Sequence, residues 1–350
     1  MTSADQGCFL RTITSEGGVS HLAQLCPPGS TRRVVYLKSG GGRAATRLME
    51  RVGEKAGDAE YYWDAPGKER LCAVRIRGLC LLDADAPFPL EPKLPGAGEE
   101  LLSLDGCRDN VALRAQQEEL RRLHGAWHRE LLRAARFLRA AQAMKRDMRH
   151  VAAESLDSAK LERYASRFAA RRFPAPNGHV GNESRRFLTA VTGQGLLLRR
   201  SGLEDSFAQA VVLEDEYDVA APALWNLVRA YALGNGLDAI ACPCALLPGG
   251  GPEHLLLPGI GLACVTANRR HPIDLNGAQH IQAGRFFDKE ALRNHSCRLR
   301  FCRRTMREML AEAYQAQAAA ELLRAELDAI YAAAELPGAL EALAERVLQG

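Results

Sequence analysis

The sequence predicts a duplicated α/β fold, with two tandem halves that each hold a parallel sheet and end in a long helical hairpin. Three observations carry this. Segments of the first half recur in the same order in the second. Short β-branched apolar runs alternate with helical patterns. Each half then closes on a long amphipathic stretch.

The recurrence is direct. "CFLRTITSEGG" (8 to 18) returns as "RFLTAVTGQGL" (186 to 196), with Phe9, Leu10, Thr14 and Gly17 falling on Phe187, Leu188, Thr192 and Gly195. The segment beginning "VVYLK" falls on the one beginning "VVLED", "GLCLLDADAPFP" on "GLACVTANRRHP", and "DNVALR" on "DKEALR". The offsets are 178, 177, 183 and 179, a drift that small loop insertions explain.

Within each half the elements follow in one order. Val34 to Leu37 and Val211 to Leu213 read as buried strands, because they are short, apolar and without polar alternation. A turn and a helix follow, over Thr46 to Lys55 and Ala220 to Leu233. Second strands are expected at Leu79 to Leu82 and Leu262 to Val265, which implies βαβ units. Residues 110 to 148 place Leu113, Leu120, Leu123, Trp127, Leu131, Ala135 and Leu138 on one helical stripe, and 289 to 333 repeat the pattern. The Pro-, Gly- and Asn-rich stretch 171 to 186 reads as a linker between halves at 1 to 170 and 187 to 350. The tail after Pro337 reads as one more packed helix.

The totals bound the function. The 350 residues are 47% hydrophobic and 25% charged with net charge +4, which fits a globular chain and does not by itself call for a polyanionic partner. No apolar run approaches a membrane span, and "MTSADQGCFL" lacks the layout of a signal peptide, so a cytoplasmic protein with no membrane partner is expected. Ten scattered cysteines read as reduced thiols, and the close pairs Cys242/Cys244 and Cys297/Cys302 lack the paired spacing of a zinc site, so no metal ligands are assigned.

The stretch "KSGGGRAAT" (38 to 46) raises the functional question. A Walker A loop reads G-x-x-x-x-G-K-[ST] between a strand and a helix; its amides wrap phosphates, its lysine neutralises them and its hydroxyl holds Mg²⁺. With Thr46 as the hydroxyl, Ser39, Ala44 and Ala45 occupy the other defining positions, and the lysine is missing. Gly40, Gly41 and Gly42 still offer an anion nest flanked by Lys38 and Arg43. In the second half Asp215, Ala220, Ala221 and Pro222 replace the motif entirely, and Glu214, Asp215, Glu216 and Asp218 would repel a triphosphate. Asp83 ends the strand "LCLLD" and is the candidate Mg²⁺-coordinating acid, with Asp85 close by; Thr266 and Asn268 stand at the equivalent positions.

The order "FLRTITSEG", strand, loop, helix, "LLDADAPFPLEPKLPGAGEELLSL", "DNVALR" and long helices, repeated once, resembles a family of bacterial tandem P-loop ATPases without a firmly assigned cellular role. The second half's "CPCALLPGGGPEHLLLPGIGLACVTAN" looks like that family's Cys-Pro segment. The resemblance covers nearly the whole chain and implies two P-loop NTPase-like domains with parallel sheets, binding ATP with Mg²⁺. Carried over by position, Gly42 and Thr46 match the loop and Asp83 the acidic strand end, while Ala45 and Ala221 stand where lysines are expected. The expectation is therefore an ATPase-like protein with eroded sites, acting in binding or scaffolding, with at most weak nucleotide binding through Lys38, Gly40, Gly41, Gly42, Arg43 and Thr46. The alternative is an active divergent ATPase or nucleotide kinase in which Arg43 or Lys38 replaces the lysine.

Two further patterns bear on possible ligands. Arg129, Arg133, Arg136 and Arg139, and Arg293, Arg298, Arg300, Arg303, Arg304 and Arg307, form basic helix faces able to grip a nucleic-acid backbone. Without groove-reading or aromatic motifs, solvated faces paired with Glu118, Glu119 and Glu130 explain them better, and nucleic acid is disfavoured. His124 and His128 lie four apart but without an HExxH pattern. A protein partner is left open.

Overall fold

The computed structural model describes residues 7–26, 33–41, 43–65, 70–176, 178–269 and 271–349. A hairpin of β1 (Arg11–Thr14) and β2 (Gly17–Ser20) precedes the first core. That core comprises β3 (Arg33–Lys38), α1 (Ala44–Ala56), β4 (Ala59–Trp63), β5 (Leu71–Ile76), β6 (Leu79–Asp83) and β7 (Glu99–Ser103). The helices α2 (Asn110–Ala115), α3 (Gln117–Ala153) and α4 (Ser158–Arg172) follow. The second half begins with β8 (Glu183–Arg185), the hairpin β9 (Thr189–Thr192) and β10 (Gly195–Leu198), and α5 (Arg200–Ser206). It continues with β11 (Gln209–Glu214), α6 (Ala220–Gly234), β12 (Ala239–Cys244), β13 (Leu247–Leu257), β14 (Leu262–Ala267) and β15 (Gln279–Gln282). The chain closes with α7 (Lys289–Asn294), α8 (Ser296–Ala333) and α9 (Ala339–Gln349).

The two sheets share one topology. The first runs β4-β5-β6-β3-β7, and the second runs β12-β13-β14-β11-β15 in equivalent positions, with β8 added beside β12. The central strands are parallel to both neighbours, as expected: β3 to β6 and β7, and β11 to β14 and β15. The expectation of wholly parallel sheets is corrected. β5 is antiparallel to β4 and β6, and β13 to β12 and β14. The cause is local. Only Arg77 and Gly78 join β5 to β6, with Gly78 at φ 78°, and a two-residue connection can only fold back as a hairpin. Each sheet is thus mixed, with one crossover helix.

The expected helical hairpin within each half is corrected too. With no proline between residues 117 and 153, α3 runs unbroken for 37 residues, about 55 Å, and its long partner comes from the other half. α3 and α8 pack antiparallel. Asp147 meets Arg298 at one end, Arg133 meets Glu312 at 2.9 Å in the middle, and Leu123 and Trp127 pack with Ala320 and Leu327 beyond. A pseudo-twofold passes between the helices. It is visible in bridges between equivalent residues, Phe9 with Phe187, and in the matched pair Arg108 with Glu335 and Leu156 with Phe287.

The short terminal helices cross over as well. α9 lays Leu340, Leu343, Ala344 and Val347 into the core formed by Val35, Leu48, Met49 and Val52 of the first half. α4 puts Leu161, Ala165 and Phe168 against Leu224, Trp225 and Val228 of the second. Each half thereby covers the crossover helix of the other. Among the described residues no helix is long and apolar enough to cross a membrane.

Candidate functional site

The loop joining β3 to α1 sits at the carboxyl end of the central strand, where open α/β sheets bind ligands. Its first two amides are already engaged. Ser39 and Gly40 donate their backbone N–H groups to the Asp85 carboxylate at 3.0 and 3.2 Å, and the Ser39 hydroxyl donates to it as well. From the other side Arg108 donates to the Ser39 carbonyl and, at 2.5 Å, to that of Gly41. The Arg108 guanidinium lies 4.6 Å from the centre of the Tyr331 ring, and a Cβ at Gly41 would fall 2.4 Å from that ring. An internal carboxylate and an aromatic face line the concavity that the glycines form.

The expected phosphate ligands are dispersed. Lys38 turns aside to donate to the Ala84 carbonyl at 2.8 Å and pairs with Glu91 at 2.9 Å. The Thr46 hydroxyl is buried and accepts from Leu71 N–H at 3.1 Å. Gly40 takes the left-handed conformation, φ 63°, that a tight turn requires, and Gly42 lies outside the described residues. Arg43 stands at the N-cap of α1 without a side-chain cap and lines a cavity together with Asp83. Asp83 accepts from Arg11 at 2.7 Å and from Asp85 N–H at 3.2 Å.

The second loop reaches the same end by another route. Asp215 is fully buried and accepts from Tyr217 and Ala221 N–H at 3.1 and 2.9 Å, and from Val219 N–H. Burial, reinforced by Asp218, pushes its carboxyl up to about 6 against the pull of those donors. The other acidic groups are answered one by one. Glu214 is held by His280 and Gln282, Glu216 by Arg303 and the Arg269 N–H, and Asp218 by Lys145 at 3.1 Å. Lys145 comes from α3, is 5% exposed, and also lies 3.6 Å from Glu253 and 3.1 Å from the Cys244 sulfur. Burial works against its charge, yet Asp218, Cys244 and Glu253 outweigh it and hold the ammonium above its ordinary range. The first half's long helix thus supplies a cation to the second half's loop.

Its counterpart on α8 is Arg324, which enters the first half's cavity of about 340 Å³. The walls come from β1, the ends of β4 and β6, the segment after β6, and both long helices. Arg11, 5% exposed, grips Asp64 through two nitrogens, at 2.8 and 2.5 Å, and Asp83 at 2.7 Å, with its guanidinium 4.9 Å from the Phe88 ring centre. Arg324 lies 4.9 Å from the Trp127 ring centre and pairs with Asp328, which Arg70 also engages.

Sequence reasoning named Asp85 only as a neighbour of Asp83 and missed Arg11, Arg108, Arg324 and Tyr331. The one available signal was "FLRTIT", an arginine inside an otherwise uncharged strand-like run; a buried cation demands a buried partner. On the basic faces, Arg133 pairs with Glu130 and Glu312, Arg298 with Asp147 and Arg303 with Glu216. Among the described residues no group of three or more His, Cys, Asp or Glu is placed to hold a metal ion. No protein-family model, curated protein or solved structure matches the chain.

Proposed function

We propose that this chain is a divergent relative of the tandem P-loop ATPases that acts by binding or scaffolding, its two nucleotide sites having been converted into architecture. One observation carries the reading. Amide donors in each loop are engaged by carboxylates of the chain itself: Ser39 and Gly40 by Asp85 in the first half, Tyr217 and Ala221 by Asp215 in the second. A triphosphate would have to displace an internal anion and then share its site with that anion's charge, a repulsion of several kcal/mol at short range, on the order of Coulomb energies near a protein surface. Two basic groups that could offset this are committed elsewhere: Lys38 to Ala84 and Glu91, and Lys145 to Asp218 and Glu253.

The rival reading, a divergent ATPase or nucleotide kinase using Arg43 or Lys38, keeps Asp83 as its metal-holding acid. Asp83, however, serves Arg11 and the turn at Asp85. The two readings separate in a turnover assay with Mg-ATP on clean protein. Binding or scaffolding predicts no phosphate release above background. Release that disappears in Asp83→Ala overturns the proposal and establishes the enzyme.

A further inference from the structure

The α8 wall of the first half's cavity carries two acceptors that the equivalent positions of α3 do not. The two helices correspond at an offset of 179, which sets Arg324 against Lys145, Glu321 against Gln142 and Gln317 against Leu138. On α3 Gln142 donates to the Ser15 hydroxyl at 2.9 Å, Leu138 belongs to the hydrophobic core, and the space beside Lys145 is about 50 Å³. In the first half the space is about 340 Å³, within the range that holds a small molecule, and Gln317 and Glu321 both line it.

Neither acceptor is satisfied in full. Glu321 accepts from Gly193 N–H at 2.9 Å, and among the described residues no cation pairs with it. Burial, opposed only by that one N–H, raises its carboxyl above the ordinary range. The approach is close: a Cβ at Gly193 would fall 2.7 Å from the Glu321 Oε2 atom and 2.6 Å from the Ala318 Cα. The backbone thus fixes the carboxylate and leaves its charge unanswered. One helical turn away, on the same face, the Gln317 Oε1 atom is buried without a hydrogen-bond partner. Ile13, Phe88, Leu131 and Val191 give the same cavity apolar walls. The guanidiniums that also line it make no matching demand for an anion. Arg11 is held by Asp64 and Asp83, Arg70 and Arg324 by Asp328, and Arg43 is partnered as well.

We infer that this cavity binds a small primary amine with an apolar body, its ammonium donating to Glu321 and Gln317 and its carbon skeleton lying against the apolar walls. An ammonium brings three donors and the one charge that Glu321 lacks. A hydroxyl brings a single donor and no charge, and an anion would meet the Glu321 carboxylate. The inference goes beyond the reading of the loops and does not depend on it.

The test uses the full chain with benzylamine, phenethylamine, butylamine and hexylamine, each at millimolar concentration, read by melting temperature and then by calorimetry. At least one is expected to raise the melting temperature. The alcohol of the same skeleton keeps the apolar body and loses the charge, and it should bind about tenfold more weakly or worse. Glu321→Gln should weaken amine binding about tenfold and Gln317→Leu about fivefold, as for loss of a charged and a neutral hydrogen bond. Both variants take the residue of the equivalent position on α3 and are expected to keep the fold, which their melting temperatures without amine check. The alcohol comparison uses the wild type, so it decides the matter even where a variant unfolds. The proposal is overturned if no amine of the panel binds, if the alcohol binds as well as its amine, or if either folded variant binds with unchanged affinity.

Discussion

Asp85 and Asp215 solve one physical problem from different chain positions. A turn that points several N–H groups into one concavity needs an acceptor there, and an unpaired buried donor costs about 1–3 kcal/mol. In the first half the acceptor arrives from beyond β6; in the second it is the first loop residue itself. The protonation of Asp215 gives a pH signature. Its carboxyl stands at about 6 in the folded chain, raised from 3.8 by burial and by Asp218. Folding therefore favours its protonated form. Its contribution is most favourable below pH 4 or so and is lost as pH rises through about 6. Between pH 7 and pH 5 the wild type should gain about 1 kcal/mol of unfolding free energy relative to Asp215→Asn. Urea titrations of both proteins measure this, and parallel pH slopes would contradict it. The glycines and the missing lysine were legible in the sequence, because they are local letters. The role of Asp85, 46 residues from Ser39, was not, because nothing local distinguishes it from an ordinary turn aspartate.

At the scale of elements, the long helices do more than pack. Each delivers one cation, Lys145 or Arg324, to the sheet end of the opposite half. Replacing Lys145 by Met removes the buried ammonium that lies 3.1 Å from Asp218 and 3.6 Å from Glu253. The expected loss is about 3–5 kcal/mol, the usual consequence of stranding a buried charge. Hydrogen exchange should accelerate first in the second half's loop. A loss below about 1 kcal/mol in denaturant unfolding would show that the pair is not the support described here. The inner strands β3, β6, β11 and β14, the crossover helices and the final helix were readable from periodicity and β-branching. The antiparallel strands were not read, although "IRGL" carried the hairpin turn, because an uninterrupted apolar run looks alike in either direction. The helix stripes marked which residues are buried but not against which half, since an antiparallel pairing within or between halves uses the same letters.

Across the whole molecule, the duplication acts as a covalently joined pseudo-dimer. α9 completes the first half's core and α4 the second's, so neither half holds its own cover. A chain cut in the Pro-rich stretch after Phe173 should give two fragments that do not unfold cooperatively alone but form one complex when co-expressed. A fragment melting alone at the wild-type temperature would refute this interdependence. The central claim, that each loop is closed by the chain's own carboxylate, is tested most directly at two amides. Hydrogen exchange of Ser39 and Gly40 should be slow, should stay unchanged through a titration with millimolar Mg-ATP, and should accelerate in Asp85→Ala. Slowing of these two amides by nucleotide in the wild type would contradict it.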